Sequence, residues 1–232
     1  YLLSCLFISL LYADIQTAED ILLKTFHRMD GINHSFKIDS KSSEKKKKGK
    51  HFQIYVYWPS EGGILRETRV KSILSDRKKP SSFWEHRFRD ESKAKQWMSM
   101  PITGKLKDVS DKNFGNKEFS FSELDITDEE IKSHDNKLLA QEKIDTLSAY
   151  VIESIKKSKN GKVKESKKLW IEVNSYMILK VEFYTGNSRL YRSIECSNFY
   201  FVEDILFPMN IDTQDFKSKT NIQITIKDIE FN

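Results

Sequence analysis

The residues that could do chemistry are present, but they do not form a catalytic pattern. The five histidines lie on separate segments without the spacing of a metal site: His27, His34, His51, His86 and His134. There is no Gly-x-Ser-x-Gly element and no two-histidine helical motif. The acids from Glu123 to Glu130 form a cluster that is typical of a solvated surface or a helix start. We therefore predict no catalytic residues, no metal site, no cofactor and no enzymatic activity.

The first thirteen residues have the character of the end of a secretory signal. Leu2 to Tyr12 are nearly all apolar, and Ala13 supplies the small residue of a cleavage point. The segment is too short to span a bilayer, which takes about 20 apolar residues in a helix. We predict a signal peptide remnant at 1–13, a periplasmic protein and a single domain over 14–232. A buried N-terminal strand and lipidation of Cys5 are the alternatives.

Cys196 is the one cysteine that remains after such a cleavage, so no intrachain disulfide can form. An exported chain without disulfides must take its stability from a core. We expect Cys196 to be a small buried residue on a strand.

Large apolar side chains are abundant, and aromatic residues make up 12% of the chain. Several lie on segments that alternate like strands and could face either a filled core or an apolar cavity. Trp97, Met98, Trp170 and Met177 are the best candidates for residues that line a cavity. The sequence leaves open whether the interior is filled or hollow.

Two periodicities predict the elements that position these residues. A capping pattern at Thr17 precedes Ile21, Leu22, Thr25, Phe26 and Met29 at helical spacing, and Gly31 ends that helix. Beyond it the period changes to two, with short turns between about a dozen strands. The clearest predicted strands lie in the C-terminal half: Lys168–Val173, Tyr176–Tyr184, Arg189–Cys196, Asn198–Phe207 and Thr220–Phe231. This pattern predicts one large antiparallel sheet.

The segment from Asn113 to Leu124 does not follow the strand pattern. Gly115 offers a flexible joint, and Phe119, Phe121 and Leu124 place three apolar groups among polar neighbours. We predict that this segment is a lid that closes over an apolar hollow.

The same segment, FG-x-x-x-FS-x-x-(D/E)L, resembles the LolA-like outer-membrane lipoprotein-sorting proteins. Further similar stretches follow in order, among them Trp97–Pro101, Tyr150–Ser154, Leu179–Tyr184 and Phe207–Met209. The resemblance implies a mainly β fold, an unclosed, strongly curved antiparallel β-barrel with an N-terminal helix and a short helical lid.

The resemblance also implies a function. In that family an apolar cavity carries the acyl chains of lipoproteins, or other lipids, across the periplasm. We expect a monomeric periplasmic carrier with peripheral or no membrane association, no nucleic-acid partner, and an inner-membrane exporter as a partner. The expected lipid-binding residues are those of the candidate cavity and lid: Trp97, Met98, Phe119, Phe121, Leu124, Trp170 and Met177. The alternative is a periplasmic sensor or interaction module on the same fold, resembling RseB.

Overall fold

A computed structural model describes residues 16–43, 50–73, 82–90, 94–99, 103–110, 124, 126–158 and 160–231. Within these ranges the chain forms thirteen strands and two helices. The helices are α1 (Ala18–His27) and α2 (Asp128–Ser133). The strands are β1 (His34–Ser42), β2 (Lys50–Tyr57), β3 (Ile64–Ser72), β4 (Ser82–Phe88), β5 (Lys95–Ser99), β6 (Leu106–Asp108), β7 (Asp135–Ile144), β8 (Leu147–Lys157), β9 (Val163–Glu172), β10 (Ile178–Thr185), β11 (Leu190–Val202), β12 (Ile205–Asp215) and β13 (Thr220–Phe231).

All thirteen strands belong to one open, curled antiparallel sheet, which confirms the predicted fold class. Its order is β6-β5-β4-β3-β2-β1-β13-β12-β11-β10-β9-β8-β7. The first and last strands pair at its centre, where His34 lies opposite Phe231 and Ile38 opposite Ile226. Strands β6 and β7 form the two edges, so the sheet does not close on itself.

Helix α1 begins at the predicted cap. The Thr17 hydroxyl accepts a hydrogen bond from the Asp20 amide at 3.1 Å, and the Asp20 carboxylate accepts one from the Thr17 amide. This reciprocal arrangement satisfies amides that the helix itself leaves without partners. The helix ends at His27, about a turn before the predicted end, and Gly31 then adopts a positive φ of 76°.

Helix α1 packs on one face of the sheet, which we call the inner face. Ile21 and Leu22 of the helix join the main hydrophobic cluster with inward-facing strand residues such as Ile38, Ile171 and Ile194. The opposite side, the outer face, is largely polar but carries a second, smaller cluster built from Ala149, Val151, Trp170 and Leu179. The sheet thus has two faces of different character.

Three features of the predicted strands needed correction. Arg189–Cys196 and Asn198–Phe207 are not two separate strands, because β11 continues through Asn198 to Val202. Asn198 has a φ of 58°, and the irregularity turns the strand without ending it. The predicted strand Asn198–Phe207 contains a turn at Glu203 and Asp204, where β11 ends and β12 begins, and β12 runs on to Asp215. The three-residue strand β6 was not predicted.

Candidate functional site

A continuous apolar row crosses five strands on the inner face. Phe36 of β1 pairs with Ile54 of β2, Ile54 with Val70 of β3, Val70 with Phe83 of β4, and Phe83 with Met98 of β5. Directly paired residues in antiparallel strands point to the same side of the sheet. These five residues, which we call the apolar row, therefore form one apolar track perpendicular to the strands.

The apolar row is covered at one end and open at the other. Phe36 and Ile54 are buried in the main cluster, with 8% and 3% of their surface exposed. Val70, Phe83 and Met98 are only half-buried. The side of the inner face formed by β3, β4 and β5 therefore presents apolar surface that is not fully packed.

The predicted residues Trp97 and Met98 lie on opposite faces, because successive residues of a strand alternate. Met98 belongs to the apolar row. Trp97 pairs with Trp84 and lies 5.0 Å from the His86 ring in an edge-on contact. Trp84 in turn lies 5.8 Å from the guanidinium of Arg69, which is exposed on the outer face.

Trp170 and Met177 are also separated. Met177 is buried in the main cluster of the inner face. Trp170 belongs to the smaller cluster of the outer face, where its indole N–H donates to Glu142 at 2.8 Å. The ammonium group of Lys180 lies 5.0 Å from its ring. The structure therefore brings Met98 and Met177, but not Trp97 and Trp170, to the inner face; lipid contact by any of them stays a prediction.

The predicted lid can be followed only at its end. Phe119 and Phe121 lie outside the described residues. Leu124 packs against the main cluster. Ile126, just before α2, and Ile131, within α2, are members of that cluster. Glu130 of this helix accepts a bond from Lys167 at 2.6 Å, which fixes α2 to strand β9.

A group of charged residues lies next to the apolar row on the inner face, and none of them was among the predicted site residues. Glu85 and Arg87 alternate with Phe83 along β4 and therefore face the same side. Arg87 Nε lies 3.2 Å from Glu85, Arg66 lies 3.8 Å from the same carboxylate, and Gln96 donates to it at 2.7 Å. The alternation of Phe83, Glu85 and Arg87 along the strand was the sequence signal that could have identified Glu85 and Arg87 as residues of this face.

His34 lies in line with Glu85 across the strands, through the paired residues Val56 and Thr68. The Arg28 guanidinium donates to the Leu206 carbonyl at 2.6 Å and lies 5.9 Å from the ring of Phe207, which the His34 ring also contacts at 6.3 Å. Burial lowers the pKa of Arg28 to about 10, so it stays cationic at neutral pH. Burial, with Arg66 and Arg28 nearby, lowers the pKa of His34 below its usual 6.5.

His34 should make stability depend on pH. Because its pKa is lower in the folded state, the unfolded state binds a proton first as pH falls below 6.5, and the folded state loses stability there. We expect His34→Gln to flatten the fall in unfolding free energy between neutral pH and about pH 5, measured by urea denaturation. An unchanged slope in this variant would contradict the assignment.

Cys196 is buried on β11 as predicted, and burial raises the pKa of its thiol to about 12. Such a thiol is protonated and inert at neutral pH. It therefore contributes packing to the inner face.

Two open clefts lie over polar parts of the sheet. One of about 380 Å³ is lined by residues that include Lys41, Glu195 and Asp212. The other, of about 400 Å³, includes Lys37 and Tyr55. Neither contains a predicted lipid-binding residue. Neither of the described helices is long and apolar enough to cross a membrane.

Solved structures with this arrangement define the fold class. The chain is similar to a domain assigned to outer-membrane lipoprotein sorting from Vibrio parahaemolyticus, with 18% identity, a TM-score of 0.71 and 92% of each chain covered. It is also similar to a DUF1329 family protein from Desulfovibrio piger (15% identity, TM-score 0.71, 93% and 92% covered). A LolA superfamily protein from Nitrosomonas europaea aligns with 16% identity, a TM-score of 0.58 and 92% and 93% coverage. At these identities the likeness establishes the LolA-like fold and confirms the resemblance at that level.

A family model described as "Uncharacterized protein" matches residues 70–232. The chain therefore belongs to that family. Among curated proteins, none matches the sequence significantly.

Proposed function

We propose that this protein is a periplasmic carrier that binds the acyl chains of lipoproteins or other lipids on its inner face. The observation that carries the proposal is the apolar row, which runs across five strands and is only half-buried at Val70, Phe83 and Met98. The whole row spans four strand spacings, about 19 Å, and its half-buried part from Val70 to Met98 spans two of them, about 10 Å. Shielding each methylene from water is worth about 0.8 kcal/mol.

Two further observations support a carrier. The fold is shared with a LolA superfamily protein and a lipoprotein-sorting domain. The charged groups of the inner face, Arg66, Glu85 and Arg87, form ion pairs with one another. Pairing lowers the cost of holding charges beside an apolar surface. The proposal includes a single mature domain over 14–232, no enzymatic activity, and a lid formed by Phe119, Phe121 and Leu124.

Lipid transfer between vesicles tests the function. Donor vesicles would carry a phospholipid with pyrene-labelled acyl chains, and acceptor vesicles would carry none. The protein should raise the transfer rate in proportion to its concentration, because each molecule shields a chain during its passage through water. A rate that does not change with protein would contradict a carrier and favour the interaction module.

A further inference from the structure

The inner face carries a cation at the buried end of the apolar row. His34 connects the two, because its ring stacks on Phe36 at 6.0 Å and meets Phe207 at 6.3 Å. Arg28 reaches the same Phe207 ring from the end of α1. The guanidinium group of Arg28 therefore lies beyond the buried end of the row, and a chain that reaches it must displace the packing over Ile54 and Phe36.

Arg28 has donors to spare for a ligand. A guanidinium carries five N–H groups, and one of its nitrogens donates to the Leu206 carbonyl. Across the described part of the chain, no carboxylate lies within salt-bridge distance of Arg28. A partly buried cation without a carboxylate is costly, and an anion placed there would recover that cost.

A second donor lies at the same end of the sheet. The indole N–H of Trp58 is buried and has no hydrogen-bond partner among the described residues. The Trp58 backbone amide donates to Asn33 Oδ1 at 2.7 Å, next to His34, and the Trp58 ring lies 5.8 Å from the guanidinium carbon of Arg66. Buried donors are normally satisfied, so an unsatisfied one beside cations indicates a missing acceptor.

From this arrangement we infer a headgroup subsite: Arg28, with Trp58 at the same end of the sheet, binds the anionic headgroup, a carboxylate or a phosphate, of a lipid whose acyl chain follows the apolar row. The subsite rests on the proposed carrier function and adds the ligand class, acyl lipids with a negative headgroup. Arginine suits this role because its planar donors match the oxygens of either anion.

The test compares lipids that differ only in the headgroup. Palmitate and methyl palmitate share one acyl chain, and each would displace the uncharged fluorescent probe N-phenyl-1-naphthylamine at pH 8, below micelle formation. We expect palmitate to bind about 10-fold to 100-fold more tightly than the ester, the range for a hydrogen bond to a charged group. Arg28→Met should abolish the preference, so that palmitate and the ester bind the variant with similar affinity. Arg69→Met, which removes an arginine from the outer face, should keep it.

The outcomes separate the two proposals. Equal binding of both lipids by the unmodified protein, a comparison that needs no variant, would overturn the subsite and leave the carrier standing. A preference that survives in Arg28→Met would do the same. If acetate competes as well as palmitate, the Arg28 guanidinium binds a small free anion and not a lipid headgroup, and the subsite is also overturned. Failure of the probe and both lipids to bind would contradict the carrier function itself.

Discussion

Met98→Asp is expected to lower the affinity for methyl palmitate by about 100-fold. The substitution places a carboxylate on the apolar row, where a bound chain would strip it of water. An unpaired buried charge costs several kcal/mol, and about 2.7 kcal/mol already corresponds to 100-fold in affinity. Displacement of N-phenyl-1-naphthylamine measures the change, and the uncharged ester excludes simple repulsion between ligand and side chain.

Trp97→Asp is the matched control. It introduces the same charge one residue earlier on the same strand, but on the outer face beside His86. The affinity should stay within about 2-fold of the unmodified protein, because the new carboxylate faces away from a chain bound on the inner face. Equal losses in both variants would contradict the assignment of lipid binding to the inner face. Circular dichroism of both proteins would show that the sheet is retained.

Glu172→Leu is expected to lower the free energy of unfolding by about 3 kcal/mol. Glu172 is buried, with 4% of its surface exposed, at the end of β9. Its carboxylate accepts bonds from the amides of Asn174 and Ser175 at 3.0 and 2.6 Å and from the Ser175 hydroxyl at 2.7 Å. Leucine fills the space but leaves these donors without an acceptor. Urea denaturation monitored by circular dichroism measures the difference.

Glu165→Leu provides the comparison for this effect. Glu165 lies on the same strand and forms an exposed ion pair with Lys156 at 3.3 Å. Exposed pairs contribute about 0–1 kcal/mol, so this variant should change the unfolding free energy little. Similar effects of the two substitutions would show that the turn at Asn174 does not depend on Glu172.

Alternation along the strands was enough to predict the sheet but not to say which face each residue takes. Leu169, Trp170 and Ile171 are three consecutive apolar residues, so either side of β9 could have been the inner one. Pairing decides: Ile171 lies opposite Ile178 and joins the main cluster, which places Trp170 on the outer face. The same ambiguity arises at Trp97 and Met98, where both neighbours are large and apolar.

The charged end of the inner face was harder to predict, because it is assembled from distant parts of the chain. Arg28 caps the C-terminal end of α1, His34 begins β1, and Phe207 contacts both from β12. No spacing in the sequence links residues about 180 positions apart. The cap at Thr17 was predictable for the opposite reason, since all its partners lie within one turn of the helix.

Mass spectrometry of organic extracts from the purified protein tests the central claim most directly. The protein would be isolated without detergent, extracted, and compared with the Met98→Asp variant prepared in parallel. A lipid carrier predicts that acyl lipid co-purifies with the unmodified protein in stoichiometric amounts and is strongly reduced in the variant. Unmodified protein that stays free of lipid, even after incubation with vesicles, would contradict the account.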